Sequence, residues 1–465
     1  MGTAVVWFRR DLRVRDQPTF LAAAEAAQES LALFVLDPAL LRPAGAARRT
    51  YLHRSLRTLD AALGGRLLVV RGDPAEVVPQ VAAAADAGTV HVAADFGPYG
   101  TRRDDAVAKA LADAGRKLVR TGSPYAVAPG RVRKADGQPF RVFGPFRRAW
   151  AEHGWRTPAQ TDATTLTWLD VREGVRSVAI PGDEDVDAAL PEAGEEAAHA
   201  RWQEFLDGPV SRYGADRNRP DRPGTSRMSV HLKYGEVHPR TLLADLASHS
   251  SESARTYRTE LAWREFYADV LFHHPDSARR NHDRAFDALP LASGRRAQAL
   301  FDAWRDGRTG YPIVDAGMRQ LREQAWMHNR VRMIVASFLV KDLHLPWWWG
   351  ARHFMRLLVD GDLASNQHGW QWTAGSGTDP APFFRVFNPV VQGERFDPDG
   401  DYVRRFVPEL RAVAGKAVHQ PWALPGGVPD GYPAPVVDHT AERKEALARY
   451  EKVRAARSSS TSQID

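Results

Sequence analysis

The sequence predicts an α/β domain followed by an all-α domain, and three observations carry that expectation. Residues 3–121 alternate short apolar runs with Ala-rich helical patterns. From Arg201 the pattern turns helical and charged, and an acidic stretch rich in Pro and Gly lies between the two. A chain of 465 residues has ample length for two or three cores. The expected division is 1–130 for the α/β domain, 131–200 for a linker, 201–455 for the helical domain and 456–465 for a disordered tail.

In the first domain TAVVWF, LALFVL, RLLVV and TVHVAA read as strands. Stretches near 18–28, 51–63, 74–87 and 103–114 read as the helices between them. Strands alternating with helices build a doubly wound parallel sheet, a Rossmann-like arrangement. No GxGxxG follows the first strand, so the motif that binds a dinucleotide in such folds is missing. WFRRDLRVRD (Trp7–Asp16), taken alone, is a basic loop leaving a strand. The connector Thr157–Ala200 reads as a segment that wraps the surface or stays mobile, without chemistry of its own.

Composition narrows the function classes. The chain carries 63 basic and 57 acidic residues, a formal charge of +6, which permits contact with nucleic acid. Cysteine is absent, which excludes disulfides and thiolate-bound metals or clusters and suits a reducing cytoplasm. The Ala, Arg, Gly and Asp usage resembles that of a GC-rich bacterial genome. No apolar run is long enough to span a membrane, and no signal peptide is evident. The pair His273-His274 has no further ligands nearby, so no metal site is expected.

The helical half concentrates the informative residues. In YRTELAWREFYADVL, Glu260, Trp263 and Tyr267 fall on one helix face. Thr309–Leu321 should form a helix opened by Pro312. In WMHNRVRMIVASFLVKDL, Met327, Val331, Ile334, Val335, Phe338 and Leu339 make one apolar stripe, with Trp326, Asn329 and Met333 on another face. In DGDLASNQHGWQW, helical spacing aligns Asp362, Asn366 and Trp370. Carboxylates, an amide and a Trp on one wall suit a flat heteroaromatic ligand. On periodicity alone the same segments read better as an amphipathic helix pair with a Trp-rich core.

The strings WMHNRxRM, ASFLVKDL, DGDLAxN and GWQW, in this order and spacing, resemble the photolyase–cryptochrome family. The resemblance extends from Val5 to about Tyr450 and is greatest to bacterial enzymes acting on cyclobutane pyrimidine dimers. It implies a U-shaped FAD, active when reduced, that passes one photoexcited electron to a dimer flipped out of UV-damaged DNA. It implies FAD contacts at Tyr213, Thr225, Ser226, Arg227, Met228, Ser229, Arg332, Asp360, Gly361, Asp362 and Asn366. Arg332 and Asp360 match an ion pair beside the flavin ring, and Asn366 matches the residue facing flavin N5. Glu260, Trp263, Asn329, Met333 and Trp372 match the lesion pocket. Arg217, Arg264, Arg330 and Gln392 match DNA contacts, together with Glu260, Trp263 and Asn329. The resemblance further implies a monomeric bacterial cytoplasmic protein.

Two departures stand out. Gly97, in ADFGPYGTRRD, replaces a Glu that contacts the pterin in folate-binding members. That puts a folate antenna in doubt and leaves a deazaflavin, or an empty site, at least as well supported. Trp370 and Trp347 match the proximal and middle members of a tryptophan electron relay, but the distal position falls on Gly294, in a segment without Trp or Tyr. Trp348 or Trp349 could then act as a substitute terminus. A cryptochrome would lack the dimer clamp and often carries a long tail. A (6-4) photolyase would carry histidines at the positions of Asn329 and Met333. The residues present favour neither.

Overall fold

The computed structural model describes residues 2–170, 174–378 and 384–461. Strands β1 (Thr3–Phe8), β2 (Glu29–Leu36), β3 (Leu67–Arg71), β4 (Ala87–Val92) and β5 (Lys117–Arg120) form a parallel sheet in the order β3-β2-β1-β4-β5. Helices α1 (Pro18–Ala26) and α2 (Ala46–Ala62) cover one face, while α3 (Pro74–Ala84) and α4 (Pro98–Asp113) cover the other. The central strands are apolar nearly throughout because both faces are covered. The chain reverses direction across the sheet at β1, which leaves a crevice at the carboxyl ends of β1 and β4.

The connector adds to the sheet. Its strand β6 (Thr167–Trp168) pairs in parallel with the start of β2, below the point where β3 begins. It then runs along α2, where Asp183 pairs with Arg54 at 2.7 Å and Glu184 with Arg49 at 2.5 Å. Its amphipathic helix α5 (Phe143–His153) packs on the helical domain.

The helical domain is built from α6 (Glu195–Asp207), α7 (Ser229–Tyr234), α8 (Pro239–Leu246), α9 (Glu252–His273), α10 (Gly294–Arg305), α11 (Pro312–Gln324), α12 (Asn329–Ser337), α13 (Trp347–Leu357), α14 (Leu363–Ala374), α15 (Pro389–Phe396), α16 (Asp401–Phe406) and α17 (His439–Thr461). Prolines open α8, α11 and α15, where a missing N–H costs nothing. The apolar stripe from Met327 to Leu339 is fully buried in the main core. Two expectations are corrected. Trp326 does not lie on the helix, because the His328 ring caps α12 by accepting from Arg330 N at 3.2 Å; the stripe then ends in a π-helical turn at Phe338–Asp342. The backbone of α17 is helical to Thr461, past the start of the expected disordered tail, and neither Pro nor Gly interrupts it. Residues 462–465 of that tail lie outside the described residues.

Candidate functional site

Helix α14 organises the site, since α9, α12 and α13 all pack against it. Asp362 caps its first turn by accepting from Ser365 N at 3.0 Å. The same carboxylate pairs with Arg10 at 2.8 Å, tying the loop after β1 to the helical domain. Burial alone would raise the Asp362 pKa, but Arg10, Lys233 and Arg264 outweigh it and hold the group far below the usual carboxylate range. Asp360 is buried and accepts from Arg332 Nη2 at 2.8 Å through Oδ2. Its other oxygen, Oδ1, is buried without a hydrogen-bond partner. An orphaned carboxylate oxygen beside a paired arginine fits a polar ligand such as a flavin edge. The Asn366 amide donates to Ala351 O at 3.1 Å and to Gln367 Oε1 at 2.8 Å. Its own Oδ1 remains the acceptor, which suits a flavin that carries a proton on N5.

Apart from Gly361, the remaining residues expected at the cofactor lie between α6 and α9. Tyr213 is buried against Phe205 and Tyr257. Thr225 is half-buried, Met228 is buried and Ser229 is exposed at the start of α7. Ser226 shares a 2.8 Å hydrogen bond with the Tyr257 hydroxyl. Arg227 holds a left-handed φ of 55° and lies over the Trp326 ring at 4.4 Å. Gly361 lets the Arg48 guanidinium approach, since a Cβ there would sit 2.9 Å from Arg48 Nη1.

The outer part of the site is a polar cluster beside an aromatic stack. Arg217 pairs with Glu260 at 2.7 Å, both side chains about a quarter exposed. Arg330 donates twice to Asn218 Oδ1, at 2.8 and 3.1 Å. Burial, followed by the charges of Arg217, Arg385 and Arg395, lowers the Arg330 pKa to about 10. Burial raises the Glu260 pKa, and Arg217 and Arg330 pull against it. The cluster thus joins one acid, Glu260, to Arg217 with Arg330 close by, and Arg385 and Arg395 add further positive charge. Trp263 is half-buried, with Phe143 stacked on it. Met333 and Trp372 are half-buried, and Asn329 is exposed at the first position of α12.

Two residues expected as DNA contacts are engaged within the protein. Arg264 donates to Pro124 O at 3.1 Å, at the end of the α/β domain, and to Leu232 O at 3.3 Å in α7, and it covers the Tyr125 ring. Its guanidinium braces the two domains. Gln392 is only 7% exposed, because α15 packs inward through Pro389, Val390, Gln392, Gly393 and Phe396. The neighbouring Val391 is the residue that projects.

A cavity of about 1050 Å³ lies between the domains, at the sheet crevice. Trp7, Arg10, Asp95 and Tyr99 line it from the α/β side, and Lys233 and Trp348 line it from the helical side. Burial and the charge of Arg10 lower the Lys233 pKa to about 7, against the pull of Asp362. Gly97 lines this cavity and supplies no carboxylate. Among the described residues, no group of three or more His, Asp or Glu side chains is placed to hold a metal ion. No described helix is long and apolar enough to cross a membrane.

With a doubly wound parallel domain, a helical domain and this constellation in view, comparison with known proteins is decisive. Residues 4–164 match the family model described as DNA photolyase, and residues 257–452 match the FAD binding domain of DNA photolyase. The chain belongs to the photolyase family. It is 43% identical to the deoxyribodipyrimidine photo-lyase of Streptomyces griseus, over 98% of this chain and 99% of that one. Among solved structures, a bacterial class III photolyase from Agrobacterium tumefaciens superposes with a TM-score of 0.87 at 37% identity, over 98% of each chain. A Synechocystis cryptochrome superposes with a TM-score of 0.89 at 27% identity, over 96% of this chain and 99% of that one.

Proposed function

We infer that this chain is a light-driven DNA repair enzyme, a deoxyribodipyrimidine photo-lyase that splits cyclobutane pyrimidine dimers. The observation that carries the reading is the Arg217–Glu260 pair beside Trp263, on a helix that packs against α14 with Asp362 and Asn366. A cryptochrome, the alternative among structural relatives, needs no such clamp for a lesion.

When bound, reduced FAD supplies the photoexcited electron that opens the cyclobutane ring and receives it back. The chain binds and orients. Asp360 and Arg332 hold the flavin edge, Asp362 and Asn366 set the charge and the acceptor beside the ring, and the stretch from Tyr213 through Thr225–Ser229 holds the dinucleotide. In its protonated form, which burial favours, Glu260 donates a hydrogen bond to the flipped pyrimidines and stabilises the negative charge that builds up on them. Trp263 and Trp372 clamp the lesion, with Asn329 and Met333 at its edge. Arg217 and Arg330 position phosphates without reading sequence.

An antenna chromophore, a deazaflavin or a folate, would take the interdomain cavity. The Arg10 guanidinium and the Trp7 and Tyr99 rings suit a flat anionic chromophore, and the missing carboxylate at Gly97 counts against a folate. The reading has the protein acting as a monomer, without a metal ion, in the bacterial cytoplasm; the lack of cysteine suits that compartment. The test is dimer loss from UV-irradiated duplex DNA incubated with reduced, FAD-loaded protein in blue light and in the dark.

A further inference from the structure

Phe143 opens α5, in the connector between the two domains. Its ring stacks on Trp263 with centroids 3.6 Å apart and planes within 10°. Phe266 stands against Phe143 at 5.8 Å and 64°, so the Phe143 ring is wedged between two side chains of α9. The helix is anchored two turns further on, where Trp150 Nε1 donates to Glu265 Oε2 at 2.6 Å. That fully buried carboxylate also accepts from the backbone N–H groups of Ala126 and Val127, on the strand-to-connector side. The position of Phe143 is therefore fixed by a hydrogen-bonded brace. The preceding Val142 is 47% exposed, so the stack lies just beneath the surface.

We propose that Phe143 is the positioning residue for Trp263 in lesion binding. A stacked ring has one face covered and its plane fixed. Phe266 and Tyr267 also stand against Trp263, at 5.8 Å and 73° and at 5.4 Å and 43°, but Phe143 is the ring stacked parallel on it, so Phe143 sets the plane that Trp263 presents to a flipped pyrimidine before DNA arrives. Without Phe143, Trp263 can rotate into the vacated volume, and stacking on the lesion weakens while the phosphate contacts of Arg217 and Arg330 persist. The inference rests on the reading of Trp263 as a lesion contact.

The experiment uses full-length, FAD-loaded protein and measures affinity for a dimer-containing duplex and for its undamaged counterpart. The variants are Phe143→Ala, Phe143→Leu and Phe143→Tyr, each also in a Trp263→Ala background. Phe143→Ala and Phe143→Leu are expected to bind the dimer duplex about fivefold more weakly, the size of one lost aromatic pair. Undamaged duplex should bind as before, Phe143→Tyr should behave as wild type, and neither loss should appear once Trp263 is Ala. Phe143→Leu keeps an apolar side chain, so selectivity can be read even if Phe143→Ala folds poorly. Wild-type selectivity in both variants, equal losses on both DNAs, or losses that add to that of Trp263→Ala would overturn the proposal. If Trp263→Ala itself leaves dimer affinity unchanged, the reading of Trp263 falls and Phe143 falls with it; if Trp263→Ala loses affinity and the Phe143 variants do not, only Phe143 falls.

Discussion

The ring of Trp304 stands against that of Trp370, with centroids 6.1 Å apart and planes at 70°. Trp304 is fully buried, and its Nε1 donates to Val335 O at 3.0 Å. Phe301 stacks on it at 5.7 Å and meets Trp349 at 5.4 Å. Trp349 is half-buried, whereas Trp304 has no surface at which a charge could be quenched. Trp347, the expected middle member, has its ring against Trp348 at 5.9 Å and its Nε1 on Asn281. The vacant distal position, Gly294, has a φ of 78° that a Trp would occupy only with strain.

These contacts open a route from Trp370 through Trp304 to Trp349, beside the expected one through Trp347. Photoreduction of oxidised flavin with an external reductant should slow about tenfold or more in Trp304→Phe and in Trp349→Phe, equivalent to roughly 1.4 kcal/mol or more of barrier. Repair by pre-reduced protein should be unaffected, because it does not use the relay. Photoreduction that survives both changes but fails in Trp348→Phe would return the exit to the Trp347 branch.

These contacts mark the limits of what the sequence discloses. Apolar runs and their spacing place β1 to β4 within two or so residues, because both-face burial writes itself into local composition. The strand β5 ends in Lys117 and Arg120, and β6 has two residues in an acidic stretch, so neither shows a pattern. Glu260 and Trp263 are legible as one helix face. Their partners Arg217 and Phe143 are not, since they arrive from distant segments. The inward turn of Arg264 follows from two backbone carbonyls that no motif records.

Removing Trp263 or Arg217 should separate lesion recognition from phosphate contact. Trp263→Ala should weaken binding to dimer-containing DNA by roughly 1–3 kcal/mol, one base–aromatic stack, and leave undamaged duplex unchanged. Arg217→Ala should weaken both and lower the slope of log affinity against log salt by about one. A salt slope identical to wild type would remove Arg217 from the phosphate contacts.

Charge beside the flavin should set its potential. Asp362→Asn keeps a helix cap but removes the partner of Arg10, so the site becomes more positive. The flavin potential should rise by on the order of 30 mV, equivalent to about 1.4 kcal/mol for two electrons. Asn366→Asp adds a negative charge and should shift it the other way. Spectroelectrochemical titration reads both, and an unmoved potential in both variants would place these side chains away from the ring.

Stability should climb with pH through the neutral-to-alkaline range. Burial lowers the pKa of Lys233 and of Lys341 to about 7. Between about pH 7 and the ordinary lysine value near 10.4, the unfolded chain binds more protons than the folded one, so the free energy of unfolding rises with pH. This contribution is present at high pH and lost as pH falls through 7. Thermal melts at pH 7 to 10 should show the rise, and Lys341→Met should reduce it; a slope unchanged by that substitution would mean that Lys341 keeps its charge in the fold.

The most direct test of the account is repair itself, scored separately for two lesions. Reduced, FAD-loaded protein is given duplexes that carry either a cyclobutane pyrimidine dimer or a (6-4) photoproduct, in blue light and in the dark. The account predicts light-dependent conversion of the cyclobutane dimer to intact pyrimidines, none in the dark and none of the (6-4) lesion, with a lower yield per photon in Glu260→Ala. A protein that retains reduced FAD, absorbs the light and leaves the cyclobutane dimer intact would contradict it.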